Sequence, residues 1–333
     1  MPRRVLLSGL FAPVVAAAGR DPSTVLPAGA TVLVAGPQGG GTDRWAEAIS
    51  RALAPSKLRR EAVGGPDGVT GANQFEARTA PDGDTALLAP GSAATAWLVG
   101  DTRAQFDAGR WVPVLASVGS GVLVSRTAPN AGAALRLAVS QVAGPDLPGL
   151  LGLDMLGVAA EPVTGLAGTD AQAALASGQV DAAFLHGPGT AATVQALAAQ
   201  GIPAQFTAGG LDDAGQPARD PRFPDLPGFT ELMRRDTPAG RLYSAWRAVA
   251  AAATLEVALV LPREAPANSV AQWRRACAQV AGSPELQTIA AMQEARPLVA
   301  APASTSIAIA APDADTLLEL RRWLGQRYGW HPG

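Results

Sequence analysis

From Thr31 onward, short apolar runs alternate with stretches in which apolar residues return every three or four positions. That rhythm is the signature of βαβ units built around a largely parallel sheet. The apolar runs place strands at 32–35, 85–88, 112–117, 122–125, around 161–164, 180–185 and 257–261. Trp45, Ile49 and Leu53 mark the buried face of a first helix, with Glu47 and Arg51 paired on its outside and Thr42 placed to cap it. A second helix opens on Thr169 and Gln172, spaced as a capping box, and stops at Gly178. Val270, Trp273, Cys277 and Val280 share one face of another helix that Asn268 is placed to cap. A helix over 241–253 and a last one through Leu317, Leu320, Trp323 and Leu324 complete the pattern. Residues 209–228, rich in Gly, Pro and Asp, read as a surface loop.

The break at Gly119, Ser120 and Gly121 falls between two strands and reads as a hinge. A chain of 333 residues, 48% hydrophobic, fills two cores of ordinary domain size. We therefore expect α/β lobes over 19–120 plus 249–333 and over 121–248, the chain leaving the first lobe, building the second and returning.

Residues 1–18 have the layout of a secretory signal: Arg3 and Arg4, an uncharged run from Val5 to Val15, then Ala16, Ala17 and Ala18. Cleavage is expected after Ala18, by the Sec or the twin-arginine route, giving a periplasmic protein. A net charge of −2 gives no electrostatic reason to expect nucleic acid or an anionic membrane as partner. The single cysteine, Cys277, forms no intramolecular disulfide and fits a core position better than a nucleophile.

Candidate chemistry sits where strands end. The loop Gly36, Pro37, Gln38, Gly39, Gly40, Gly41 lacks the lysine of a phosphate-binding loop and the glycine phase of a dinucleotide fold. It retains the general form of an anion cradle, backbone amides and a helix N-terminus that suit a carboxylate. The small-residue loop Ala89, Pro90, Gly91, Ser92, Ala93 is positioned to lie beside it. Asp43 either stabilises the first helical turn or orients the loop, and Asp170 carries the same ambiguity. Either aspartate near a helix end also suits a ligand ammonium group, which keeps amino acids among the candidates. His186 ends a strand, where it either touches ligand or bonds to backbone. No serine sits in a G-x-S-x-G elbow, and with His186 and His331 the only histidines, a His-rich zinc site is excluded. No metal, cofactor or catalytic residue is expected.

Six segments, in order, resemble the Bug-type receptors, the extracytoplasmic solute-binding proteins of tripartite tricarboxylate transporters. They are V-A-G-P-Q-G-G-G-T-D-R-W-A at 34–46, E-A-V-G-G-P-D-G-V-T-G-A-N at 61–73, A-P-D-G-D-T-A-L-L at 80–88, F-D-A-G-R-W-V-P-V at 106–114, A-A-L-A-S-G-Q-V-D at 173–181 and F-P-D-L-P-G-F-T-E-L at 223–232. The resemblance implies a two-lobed fold like the type II periplasmic binding proteins, closing around a small carboxylate. It implies ligand contacts from Gln38, Gly39, Gly40, Thr42 and Asp43, and from Pro90, Gly91, Ser92 and Ala93. The middle-lobe loop, which here reads V-T-G-L-A-G before Thr169, adds Gly168, Thr169 and Asp170, with His186 beyond. A monomer delivering its solute to the membrane subunits of such a transporter is expected. The alternatives are an exported α/β enzyme acting on a small carboxylate and a sensing receptor without its own transporter.

Overall fold

The computed structural model describes residues 26–332 except Ala28, Lys57 and residues 234–239. The expected signal segment 1–18 lies outside the described residues. The chain begins β1 (Thr31–Ala35), α1 (Gly41–Ala52), β2 (Arg59–Val63), α2 (Val69–Arg78), β3 (Thr85–Ala89), α3 (Gly91–Val99), β4 (Val112–Val118). It then crosses through Gly119 and Ser120 into β5 (Gly121–Ser125), β6 (Ala134–Ala138), α4 (Leu147–Met155), β7 (Ala159–Val163), α5 (Gly168–Ser177), β8 (Ala182–His186), α6 (Thr190–Ala198) and β9 (Ala204–Thr207). The small pair β10 (Gly210–Leu211) and β11 (Pro217–Ala218) and the short α7 (Phe229–Met233) follow. The return runs through α8 (Arg241–Thr254) into β12 (Leu255–Leu261), α9 (Ala267–Val280), α10 (Pro284–Met292), β13 (Arg296–Leu298), α11 (Ala300–Ala310) and α12 (Ala314–Tyr328).

Two sheets result, ordered β13-β4-β12-β3-β1-β2 and β7-β6-β8-β5-β9. In the first, β1 pairs in parallel with β2 and β3, while β12 runs antiparallel to β3 and β4. In the second, β6 is parallel to β7 and β8, and β5 is antiparallel to β8 and β9. All five residues of β1 are buried because both faces of the sheet are covered. Val32 and Val34 pack with Trp45, Ile49 and Trp273 on one face, and Leu33 and Ala35 with Phe75, Leu87 and Ile307 on the other.

The two crossings are bonded to each other, the Gly119 amide donating to the Thr254 carbonyl at 2.8 Å. Helix α8 joins the lobes: it packs on α4 of the second lobe and on α3, α11 and α12. Trp246 on α8 is buried and donates its Nε1 to the Pro148 carbonyl of α4 at 3.0 Å. β12 and β13 lie in the first sheet, whereas α12 makes contacts with both lobes. Arg321 reaches the Trp97 and Leu98 carbonyls, and Trp323 donates to Asp154 at 2.7 Å.

Helix starts differ from the sequence reading. The residue before α1 is Gly40, extended at φ −71°, ψ 179°, so Thr42 falls inside the first turn and is buried. Ala167 precedes α5 in extended conformation, which leaves Thr169 inside the helix and unable to form its capping box. Pro266, at φ −57° and ψ 139°, stands before α9, so Asn268 falls inside the first turn rather than at the cap. Segment 209–228 contains the β10–β11 pair and the buried Asp220, so it is structured rather than a plain surface loop. Cys277 is fully buried beside Trp273, and burial pushes its thiol up to about 12.

Candidate ligand-binding cleft

Strands β1, β2 and β3 run parallel, so the loops after them emerge at one end of the first sheet. In the first loop the Asp43 carboxylate accepts from the Gly39 amide at 2.8 Å, and the Gly40 amide donates to the Pro37 carbonyl at 3.0 Å. Asp43 therefore orients the loop as well as sitting in the first turn of α1. Gly39 takes φ +72°, a conformation few other residues adopt without strain. Gln38 is exposed, and no side chain caps the helix amides that open behind Gly40. Arg60 on β2 stands 3.6 Å from the other Asp43 oxygen. This cation escaped the sequence reading because it lies on a separate strand.

The loop after β3 begins α3 at Gly91, with Pro90 before it and no side-chain cap. A methyl group on Gly91 would lie 2.1 Å from the Ala252 carbonyl oxygen, so this glycine permits α3 to approach the end of α8. Ser92 donates to the Asp67 carbonyl at 3.1 Å, and Ala93 is buried. Pro90 lies against Gly68, where an added methyl would come within 2.5 Å of the ring. The loops after β2 and β3 are thus in contact.

In the second lobe, β6, β7 and β8 are parallel and their following loops share one end. Gly168, Thr169 and Asp170 are exposed at the uncapped start of α5. His186, opposite Gly121 beside the hinge, puts its Nε2 3.8 Å from Asp146 Oδ1. The other Asp146 oxygen accepts from the Ser140 amide and hydroxyl, each at 2.8 Å. His186 thus faces a carboxylate that is itself anchored, rather than bonding to backbone. Across the hinge lies Glu256 of β12, whose carboxyl burial pushes up to about 7 against the opposing pull of His186. Asp146 and Glu256 were not anticipated as site residues, although Glu256 is a lone acid inside the apolar run 248–261 and that anomaly was the available signal.

The structure groups Gln38, Gly39, Gly40, Thr42 and Asp43 with Pro90, Gly91, Ser92 and Ala93 at one lobe's edge, and Gly168, Thr169, Asp170 and His186 at the other's. Among the described residues no hydrogen bond or ion pair joins the two sets. Besides α8 and α12, Glu294 ties the lobes: it follows α10 and accepts from the Ala191 amide in the first turn of α6 at 3.1 Å. No group of three or more His, Cys, Asp or Glu among the described residues could hold a metal ion.

Solved structures share this fold. A TctC solute-binding protein from Polaromonas superposes with a TM-score of 0.66 at 15% identity, covering 89% of this chain and 98% of its own. The periplasmic binding protein BugD superposes with a TM-score of 0.51 at 18% identity, over 90% of this chain and 97% of its own. The fold is that of the periplasmic binding proteins. No protein-family model and no curated protein matches the sequence.

A cavity of about 380 Å³ lies on the α8 and α11 side of the hinge. It is bounded by Val118, Gly119 and Ser120, by the β10–β11 segment, by Trp246 to Thr254 of α8 and by Arg296. None of the expected site residues lines it.

Proposed function

We propose that this chain is an extracytoplasmic solute-binding protein of the tripartite tricarboxylate type, holding a small carboxylate between its lobes without transforming it. The observation that carries the reading is the pair of strand-end edges flanking a two-strand hinge, presenting α1 and α3 on one side and α5 on the other, helices whose N-cap residues supply no side-chain cap. Uncapped helix amides favour an anion, and a hinge lets two such edges close on it. The ordered motif resemblance and the shared fold support the same reading. In it the ligand carboxylate meets the amides behind Gly40 and Pro90, while Gly168 to Asp170 and the His186–Asp146 pair contact its far end. Dicarboxylates, tricarboxylates, aromatic acids and amino acids are the candidate ligands. Secretion after Ala18, a monomeric state and delivery to transporter membrane subunits belong to the same proposal.

The test is mass spectrometry of the small molecule released from gently purified protein, followed by calorimetric titration of that compound and its recovery after incubation. The reading requires recovery of the compound unchanged. Stoichiometric conversion to a new species would establish the enzyme alternative in its place.

A further inference from the structure

We infer that the cavity behind the hinge is a second small-molecule site, fitted to an organic acid with an apolar body. It is separate from the cleft and does not depend on the function proposed for it. Its volume of about 380 Å³ lies in the range of small-ligand pockets, which run from roughly 300 to 1,000 Å³. One side is apolar: Val118, Leu211, Trp246, Ala250, Ala251 and Ile309. The small residues of α8 make the room, and the buried Trp246 borders it.

The polar side carries an excess of positive charge. Among the described residues, Arg219, Arg222, Arg247 and Arg296 line the same space as the acids Asp220 and Glu231. Arg219 is bound by both oxygens of Glu231 at 2.8 Å. Arg296 donates to the Leu211 carbonyl and lies 3.5 Å from Asp213, whose side chain is fully exposed. Asp220 is buried, its carboxyl held above the usual range by loss of solvent and its oxygen bonded to the Arg222 amide at 2.9 Å. Arg247 is different. It is partly buried on α8, and among the described residues its side chain has neither a hydrogen bond nor an ion pair.

A partly exposed guanidinium with no protein partner among the described residues is open to a bound anion, and its planar fork matches a carboxylate. The adjoining Trp246, Ala250, Ala251 and Ile309 surface then selects a ligand with a ring or short chain over a compact, fully polar acid. Because walls come from both lobes and from the hinge itself, the bound acid sits where the lobes pivot rather than where they meet.

The probe is 2-naphthoate, whose fluorescence reports transfer to an apolar site, titrated into the full chain beside neutral 2-naphthamide. Three variants, each checked for a native circular-dichroism melt, divide the possibilities: Arg247→Gln, Ala251→Leu to fill the cavity, and Gly40→Val in the cleft loop. We expect naphthoate binding to persist in Gly40→Val, whatever the cleft adds in wild type. Naphthamide binding, and naphthoate binding to Arg247→Gln and Ala251→Leu, should be weaker by about tenfold or more, the loss of a charge-assisted contact or of the space. If Arg247→Gln does not fold, Arg222→Gln replaces it with the same expectation. Absence of binding to folded wild type at millimolar probe overturns the inference. So does binding that ignores the cavity variants, or that disappears in Gly40→Val while they retain it.

Discussion

A methyl group on Gly40 would stand 2.9 Å from the Pro37 carbonyl oxygen. The backbone there, φ −71°, is open to any residue, so the demand for glycine is one of space rather than of conformation. Gly40→Val should therefore break the Pro37 to Gly40 turn and weaken binding of the copurified solute by at least about tenfold. Calorimetry on the folded variant checks this, and unchanged affinity would remove the first loop from the site. Ser92 spends its hydroxyl on the Asp67 carbonyl, so Ser92→Ala loosens a loop contact and should cost about 0.5 to 1.5 kcal/mol.

Glu256 makes a second prediction at this scale. Its folded value, about 7, lies above the ordinary 4.5. Below about 4.5 the carboxyl is protonated in both folded and unfolded chains. As pH rises from about 4.5 to about 7 the unfolded chain loses the proton first, so stability falls through that window. Above it the full cost is present, on the order of 3 kcal/mol. Glu256→Gln should flatten this slope and stabilise the protein at pH 8 relative to pH 5 in urea titrations; an unchanged slope would assign the pH dependence to other groups.

Among the elements, α8 has the heaviest duties, and Trp246 is its fastening. The indole donates to Pro148 of α4 and lies with its ring centre 4.1 Å from that of Phe229. Trp246→Phe leaves the buried Pro148 carbonyl without this donor and should cost about 1 to 3 kcal/mol, read as a fall in the urea midpoint with little change in slope. Strands buried on both faces were legible because they are continuous apolar runs, as in the V-L-V-A of β1 and the V-A-L-V-L of β12. Strand β2 was not. It reads R-R-E-A-V, an edge strand with four exposed residues, and its charges hide the periodicity while protecting the edge. Helix starts were misplaced at Thr42, Thr169 and Asn268 for one shared reason: the extended residue in front, not the nearest polar side chain, sets where each helix begins.

At the scale of the whole molecule, the two-lobed α/β fold was readable from the strand rhythm. The Asp146, His186 and Glu256 grouping was not, because Asp146 reaches His186 only through the fold of the second lobe and Glu256 comes from a strand of the other sheet. The cavity was equally hidden, assembled from α8, α11 and a segment that looked like plain loop. The last helix adds a further long-range dependence. Leu320, Trp323 and Leu324 of α12 complete the same core as Leu135, Leu150 and Phe184 of the second lobe. A chain ending at residue 311 should lose several kcal/mol, since each large core side chain contributes about 1.5 to 3 kcal/mol. The expected signature is an early second-lobe transition in thermal melts; a single unshifted transition would show α12 to be dispensable.

That placement also orders events during synthesis. The middle of the polypeptide cannot finish its interior until the final fifteen-residue helix has emerged from the ribosome. Because α12 follows every other element of the two lobes along the chain, the nascent second lobe stays incompletely packed until that helix is free of the ribosome.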